Sequence, residues 1–196
     1  GEKCNQETVS AYITPNNCVV NNKLQLSGND IFYTAIPLSK MGTDSLNATP
    51  GSPYETPYTY LKSGKDYAYK FKIHKTSLSE KGNVFGFGSL YDLTTLADGS
   101  KVGGGETLSI SENPCDFSQD TKTKACVSSS NHAGGIIKFN TYPSGVLTKA
   151  DGSTINMVGC NIGFDKDYYF NLRNVDSNGK NTCPEGATCV RRIFAN

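Results

Sequence analysis

Leu61-Lys62-Ser63-Gly64-Lys65-Asp66-Tyr67, running into Ala68-Tyr69-Lys70-Phe71-Lys72-Ile73, has a counterpart later in the chain. That counterpart is Ile162-Gly163-Phe164-Asp165-Lys166-Asp167-Tyr168, running into Tyr169-Phe170-Asn171-Leu172-Arg173. Each stretch opens on an apolar residue, places a turn residue three positions on and a Tyr three after that, and continues as an alternating strand. This is the spacing of a tyrosine corner, in which the chain passes between sheets and the phenol bonds back onto the connecting loop. Two of them predict an all-β, antiparallel Greek-key or jelly-roll β-sandwich.

The remaining sequence supports that class. At 196 residues the chain has enough length for a sizeable core, and residues 1–196 read as one domain. Glycine is abundant (20), Trp is absent and Tyr (11) exceeds Phe (9), a balance suited to short strands joined by turns. Tyr67, Tyr69, Phe71 and Ile73 alternate with Lys70, Lys72 and His74, which predicts a half-buried strand. Further alternations occur at Val9/Ala11/Ile13, Leu24/Leu26, Phe32/Thr34/Ile36/Leu38, Leu108/Ile110 and Ile137/Phe139/Thr141, with Cys189 to Phe194 as a closing strand. Residues 42 to 58, rich in Gly and Pro, read as a long surface loop. Ala-Asp-Gly-Ser occurs twice, at 97–100 and 150–153, and is read as two hairpins sharing one turn chemistry. Residues 1–23 form either an arm lent to a neighbour or the first strand of the chain's own sheet.

Seven cysteines, at 4, 18, 115, 126, 160, 183 and 189, show no C-x-x-C spacing, and two histidines offer little to a zinc site. They read as disulfides, hence as a protein of an oxidising compartment: extracellular, cell-surface or periplasmic. Proximity suggests Cys4–Cys18, Cys115–Cys126 and Cys183–Cys189, with Cys126–Cys160 a rival to the second pair. Cys160 is then the expected unpaired thiol, either buried or bridging to another molecule.

Lys+Arg at 19 against Asp+Glu at 18 gives a net charge of +1, too balanced for a nucleic-acid partner. No apolar run is long enough for a membrane helix. The N-terminus lacks the apolar region of a signal peptide, so an exported protein is expected here in mature form, without a lipid-bearing first cysteine.

A family resemblance enters through Leu108-Ser-Ile-Ser-Glu-Asn-Pro-Cys115-Asp116-Phe117, then Cys126 and Gly135-Ile-Ile-Lys-Phe139. Cys160-Asn-Ile162, Tyr168-Tyr-Phe-Asn-Leu-Arg173 and Cys183-Pro184 with Cys189 continue it. Together these resemble a group of uncharacterised exported bacterial proteins with a Ser-Ile-Ser, Cys-Asp-Phe, Tyr-Tyr-x-Asn pattern. The resemblance spans roughly residues 60 to 190 and implies an exported bacterial β-sandwich; it carries no activity.

Catalytic signatures are missing: the sequence has no G-x-S-x-G, H-E-x-x-H or P-loop. His74 reads as a surface residue of a strand's polar face, and His132 as part of a polar loop. Paired carboxylates, Asp165 with Asp167, Asp116 with Asp120, and Glu106 or Glu112, could flank a glycosidic bond. Asp165 and Asp167 are better explained as turn residues capping backbone N–H groups. Asp176-Ser-Asn178-Gly179-Lys-Asn181 imitates the start of a calcium loop but lacks the later Glu, so a hairpin turn is expected. No metal and no cofactor is expected.

The ligand surface suggested by the sequence is Pro53-Tyr54-Glu55-Thr56-Pro57-Tyr58-Thr59-Tyr60. In an extended segment Tyr54, Tyr58 and Tyr60 point the same way and could stack sugar rings. Asn47-Ala48-Thr49 is a glycosylation sequon for a eukaryotic secretory host only. The expected function is a non-catalytic adhesion module binding a glycan or a surface protein. The alternative is a self-assembling subunit of a filament or coat, a homo-oligomer; a secreted glycan hydrolase ranks third.

Overall fold

The computed structural model describes residues 11–21, 58–72, 84–91, 94–102, 105–119, 126–129, 135–157 and 159–195. The expected strands around Leu24 and Phe32, residues 42–57 of the expected 42–58 loop, His74, Asp120 and His132 lie outside these residues, and Tyr58, the last residue of that loop, instead opens a strand. In chain order the strands are β1 (Cys18–Asn21), β2 (Tyr58–Leu61), β3 (Asp66–Lys72), β4 (Val84–Tyr91), β5 (Thr94–Thr95), β6 (Lys101–Val102) and β7 (Thr107–Ser111). There follow β8 (Cys126–Ser129), β9 (Gly135–Asn140), β10 (Val146–Thr148), β11 (Thr154–Asn156), β12 (Cys160–Asn161), β13 (Asp167–Arg173) and β14 (Cys189–Ala195). The described residues contain no α-helix, only a 3-10 turn at Pro143–Gly145. No helix among them is long and apolar enough to cross a membrane.

Two five-stranded sheets carry most of the strands, one ordered β1-β3-β13-β7-β8 and the other β12-β9-β4-β14-β2. Most neighbours are antiparallel, but β1 with β3 and β12 with β9 are parallel, a departure from the antiparallel expectation. Both parallel pairs bring in a short strand at a sheet edge. The described residues are therefore all-β apart from that turn, and the expected closing strand is β14.

Period-two alternation selects the core. Tyr67, Tyr69 and Phe71 of β3, Leu108 and Ile110 of β7, and Tyr168, Phe170 and Leu172 of β13 are buried together. Leu61 of β2 and Ile137 and Phe139 of β9 belong to the same cluster, so side chains from both sheets meet in one core. Phe71 ties them, with its ring 5.9 Å from Tyr168 on the neighbouring strand and 6.5 Å from Phe139 of the other sheet.

Both predicted corners form. The Tyr67 hydroxyl accepts the Lys62 backbone N–H at 2.6 Å, and the Tyr168 hydroxyl accepts that of Gly163 at 2.7 Å. The turn residues foreseen three positions after Leu61 and Ile162 both take left-handed backbone, Gly64 at φ 73° and Asp165 at φ 56°. Left-handed geometry suits Gly, and Asp is among the side chains that tolerate it best. Each corner carries the chain from an outer strand of the second sheet, β2 or β12, to β3 or β13, which pair side by side in the first.

The repeated Ala-Asp-Gly-Ser segments close the hairpins β5–β6 and β10–β11 with one geometry. Leu96 N–H bonds Ser100 C=O and Gly99 N–H bonds Leu96 C=O; Lys149, Ser153 and Gly152 repeat the arrangement. Asp98 and Asp151 each accept the N–H and hydroxyl of the Ser two residues on. These bonds hold both carboxyls below the ordinary value of 3.8. The calcium-like segment is a third such turn, in which Asp176 accepts the N–H groups of Asn178 and Lys180.

The disulfide map corrects the sequence reading. Cys18 pairs with Cys115, Cys126 with Cys160, and Cys183 with Cys189, at Cα separations of 6.0, 5.6 and 5.9 Å. Only the last was the favoured expectation. Cys160 is not an unpaired thiol; it is buried and bonded to Cys126, the pairing weighed as the rival. Cys115 does not bond Cys126 because the segment after β7 folds back across the first sheet toward β1. Cys4 lies outside the described residues.

Candidate functional site

The segment Glu112–Ser118 lies over the face of the first sheet that points away from the core, and Asn171 holds it there. On β13 the core takes Tyr168, Phe170 and Leu172, so Asn171 falls on the opposite face with Asp167, Tyr169 and Arg173. It stands in register between Ala68 of β3 and Ser109 of β7, fully buried. Its amide nitrogen donates to Ser109 Oγ at 2.8 Å and Ser111 Oγ at 2.7 Å, and its oxygen accepts Cys115 N–H at 2.8 Å. The serines pass the network on: Ser109 Oγ donates to Asp116 C=O and Ser111 Oγ to Asn113 C=O. Cys115 takes a left-handed backbone, φ 55°, as its sulfur bonds Cys18.

Around this hub the remaining contacts fix the segment's ends. Tyr12 donates its phenol to Pro114 C=O at 2.6 Å. Burial, with the Asp116 charge adding to it, raises the Tyr12 pKa above its ordinary value of 10.0. Arg173 places its guanidinium 4.0 Å from the Phe117 ring centre and bonds Asp66 at 2.8 Å. Asp116 Oδ1 accepts the N–H and hydroxyl of Ser118. Ser-Ile-Ser, Cys-Asp-Phe and the Asn of Tyr-Tyr-x-Asn are thus parts of one hydrogen-bonded clamp. The roles of Asn171, Arg173 and Asp66 were not anticipated; the sequence signal was the polar residue alternating with apolar ones on each strand.

The carboxylates weighed for catalysis are distributed among structural partners. Glu112 receives a hydrogen bond from Lys166 at 2.5 Å, which raises the lysine pKa above 10.5. Asp167 lies 3.4 Å from Lys70 and 3.6 Å from Lys72, a cross-strand charge contact where a backbone cap was expected. Glu106 lies 3.6 Å from Arg191, both fully buried, and Arg191 donates to Asn174 at 3.0 Å. Among the described residues no group of three or more His, Cys, Asp or Glu side chains is placed to hold a metal ion.

Of the tyrosines proposed from sequence, Tyr54 lies outside the described residues. Tyr58 and Tyr60 occupy alternate positions of β2, which ends the second sheet and pairs with β14 alone. Their parity is opposite to that of Leu61, a core residue.

A second concave surface lies where β8 ends the first sheet and β12 the second. A cavity of about 390 Å³ there is lined by Cys126, Val127, Ser128, Ile137, Lys138, Gly159 and Cys160. The Cys126–Cys160 bridge joins the two sheets at this side. Gly159, at φ 90°, lies so close to the Lys138 backbone that no Cβ fits.

No family model matches the chain, and no curated protein or solved structure shows significant similarity to it.

Proposed function

We propose that this chain is an exported, non-catalytic adhesion module of the extracellular space, cell surface or periplasm, binding a glycan or a surface protein. Its two sheets are read as a Greek-key or jelly-roll sandwich within a single domain, of the exported bacterial type its motifs resemble. The observation that carries the reading is the position of Tyr58 and Tyr60 at alternate residues of an edge strand, with parity opposite to the core residue Leu61. Tyrosines spaced two apart along a strand present a row suited to the apolar faces of sugar rings, or to a partner's anchor residues. The three disulfides suit an oxidising compartment.

The test is a glycan array followed by calorimetry on the strongest sugar, with Tyr58→Ala and Tyr60→Ala as variants. Binding lost in both variants, with unchanged thermal unfolding, supports the reading. Binding that survives both substitutions removes β2 as the ligand surface.

The second reading is a self-assembling subunit of a filament or coat. It is favoured by the edge strands β1, β2, β8 and β12, each paired on one side only among the described residues. Strand addition at such an edge is a known route to assembly. Cys160 no longer serves as the covalent link, since it is bonded within the chain.

A further inference from the structure

Of the three bridges among the described residues, Cys126–Cys160 is the one that joins the two five-stranded sheets, β8 of the first to β12 of the second. Cys18–Cys115 ties β1 to the segment after β7, across one sheet, and Cys183–Cys189 closes a separation of six beside β14. Cys126 stands in register with Ile110 and Cys160 with Phe139, both core residues, and cross-strand partners share a face. Both sulfurs therefore turn inward and close the gap between the sheets at this side. The cavity of about 390 Å³ lies against them, with both cysteines in its lining. Val127 and Ile137 add apolar surface, and Lys138, which is exposed, is the one charged residue of the lining.

The two cysteines are unequal. Cys160 is 1% exposed, whereas Cys126 is half-buried. A thiolate displaces one sulfur of a disulfide by attacking the other, so access selects the sulfur attacked. Here access favours Cys126.

We infer that the cavity admits a small anionic thiol, which exchanges with the Cys126–Cys160 bridge and unlocks the two sheets at this side. The incoming thiolate forms a bond to Cys126 Sγ as the bond from Cys126 Sγ to Cys160 Sγ breaks, and the electron pair leaves on Cys160. Cys160 then takes up a proton in place of the one the small thiol lost on ionising, so atoms and charge balance and no further oxidant or reductant enters. Apolar burial favours the neutral thiol, which suits Cys160 as a member of the core. The product carries the small thiol as a mixed disulfide on β8, and attack by the Cys160 thiolate reverses the step. Lys138 favours an anionic thiol over a cationic one. In an oxidising compartment the bridge stays closed, so a local supply of thiol is what opens it. The inference is independent of the tyrosine row of β2, which lies at the other edge of the second sheet.

The test takes the native, oxidised chain, whose seventh cysteine, Cys4, is first blocked with iodoacetamide. It is incubated with mercaptoethanesulfonate and quenched in acid; new thiols are alkylated and peptides mapped by mass spectrometry. Expected is one adduct on Cys126 with Cys160 alkylated, formed at least about tenfold faster than Cys18–Cys115 is cleaved, with Cys183–Cys189 intact. Cysteamine, similar in size and opposite in charge, is expected to react several-fold more slowly, and Lys138→Glu to remove that preference. Ser128→Leu adds bulk to the lining and slows the adduct on Cys126, while the Cys18–Cys115 rate stays at the parent value. Hydrogen exchange of the adduct rises in β8 and β12 and stays unchanged in β3 and β13. Three bridges opening at one rate, first attack at Cys18–Cys115, or an adduct with unchanged exchange in β8 and β12 each overturns the inference. So do equal rates with the two thiols that Lys138→Glu leaves unaltered. Lys138 is exposed, so that variant and the pair of thiols decide the outcome even where Ser128→Leu fails to fold.

Discussion

At the residue scale, one phenol and one amide explain much of the pattern in the chain. Tyr168 keeps its ring in the core, 5.9 Å from Phe71, and spends its oxygen on Gly163 N–H. Tyr168→Phe retains the ring and orphans that N–H, with an expected loss of about 1–2 kcal/mol in urea unfolding and little change in slope. The corner was legible because its three residues are local in sequence. Asn171 was not, because its partners Ser109, Ser111 and Cys115 lie some sixty positions away and only the sheet register brings them together. A buried amide with each of its polar atoms bonded fixes a segment more narrowly than apolar packing does, and polar hubs of this kind leave no periodic trace.

At the element scale, strands with clean alternation were readable and their partners were not. β3, β7, β9 and β13 carry the expected core residues, whereas the parallel pairing of β1 with β3 and of β12 with β9 has no local signal. The hairpin turns were readable because Asp-Gly fixes its own geometry within five residues. Asp151 in the β10–β11 turn is a carboxylate whose folded value is lowered by bonds from Ser153. Its contribution is therefore present above the ordinary 3.8 and fades as pH falls through the lower folded value. A carbon-detected carboxyl titration is expected to place the midpoint below 3.8, and Ser153→Ala to return it toward that figure. An unchanged midpoint in the variant would show that the serine is not the cause.

At the scale of the whole molecule, cysteine connectivity was the least legible feature. Nearest-neighbour pairing succeeds for Cys183–Cys189, which closes six residues, and fails for Cys18–Cys115, which spans 97. Long-range bridges constrain the unfolded chain most. Chain-entropy reasoning puts the Cys18–Cys115 bond at about 4.7 kcal/mol and Cys183–Cys189 at about 2.4. Replacing each pair by Ala is expected to lower the unfolding midpoint in that order under oxidising conditions, and equal losses would mean that strain or residual structure outweighs loop length. The same long bridge has a mechanical side. Tension entering at the N-terminal arm passes at Cys18 directly to Cys115, so the chain between them, a separation of 97 positions, bears no load and cannot pay out. That withholds about 330 Å of contour, and a molecule anchored through its two ends would yield as a short, stiff link until a reductant released the slack.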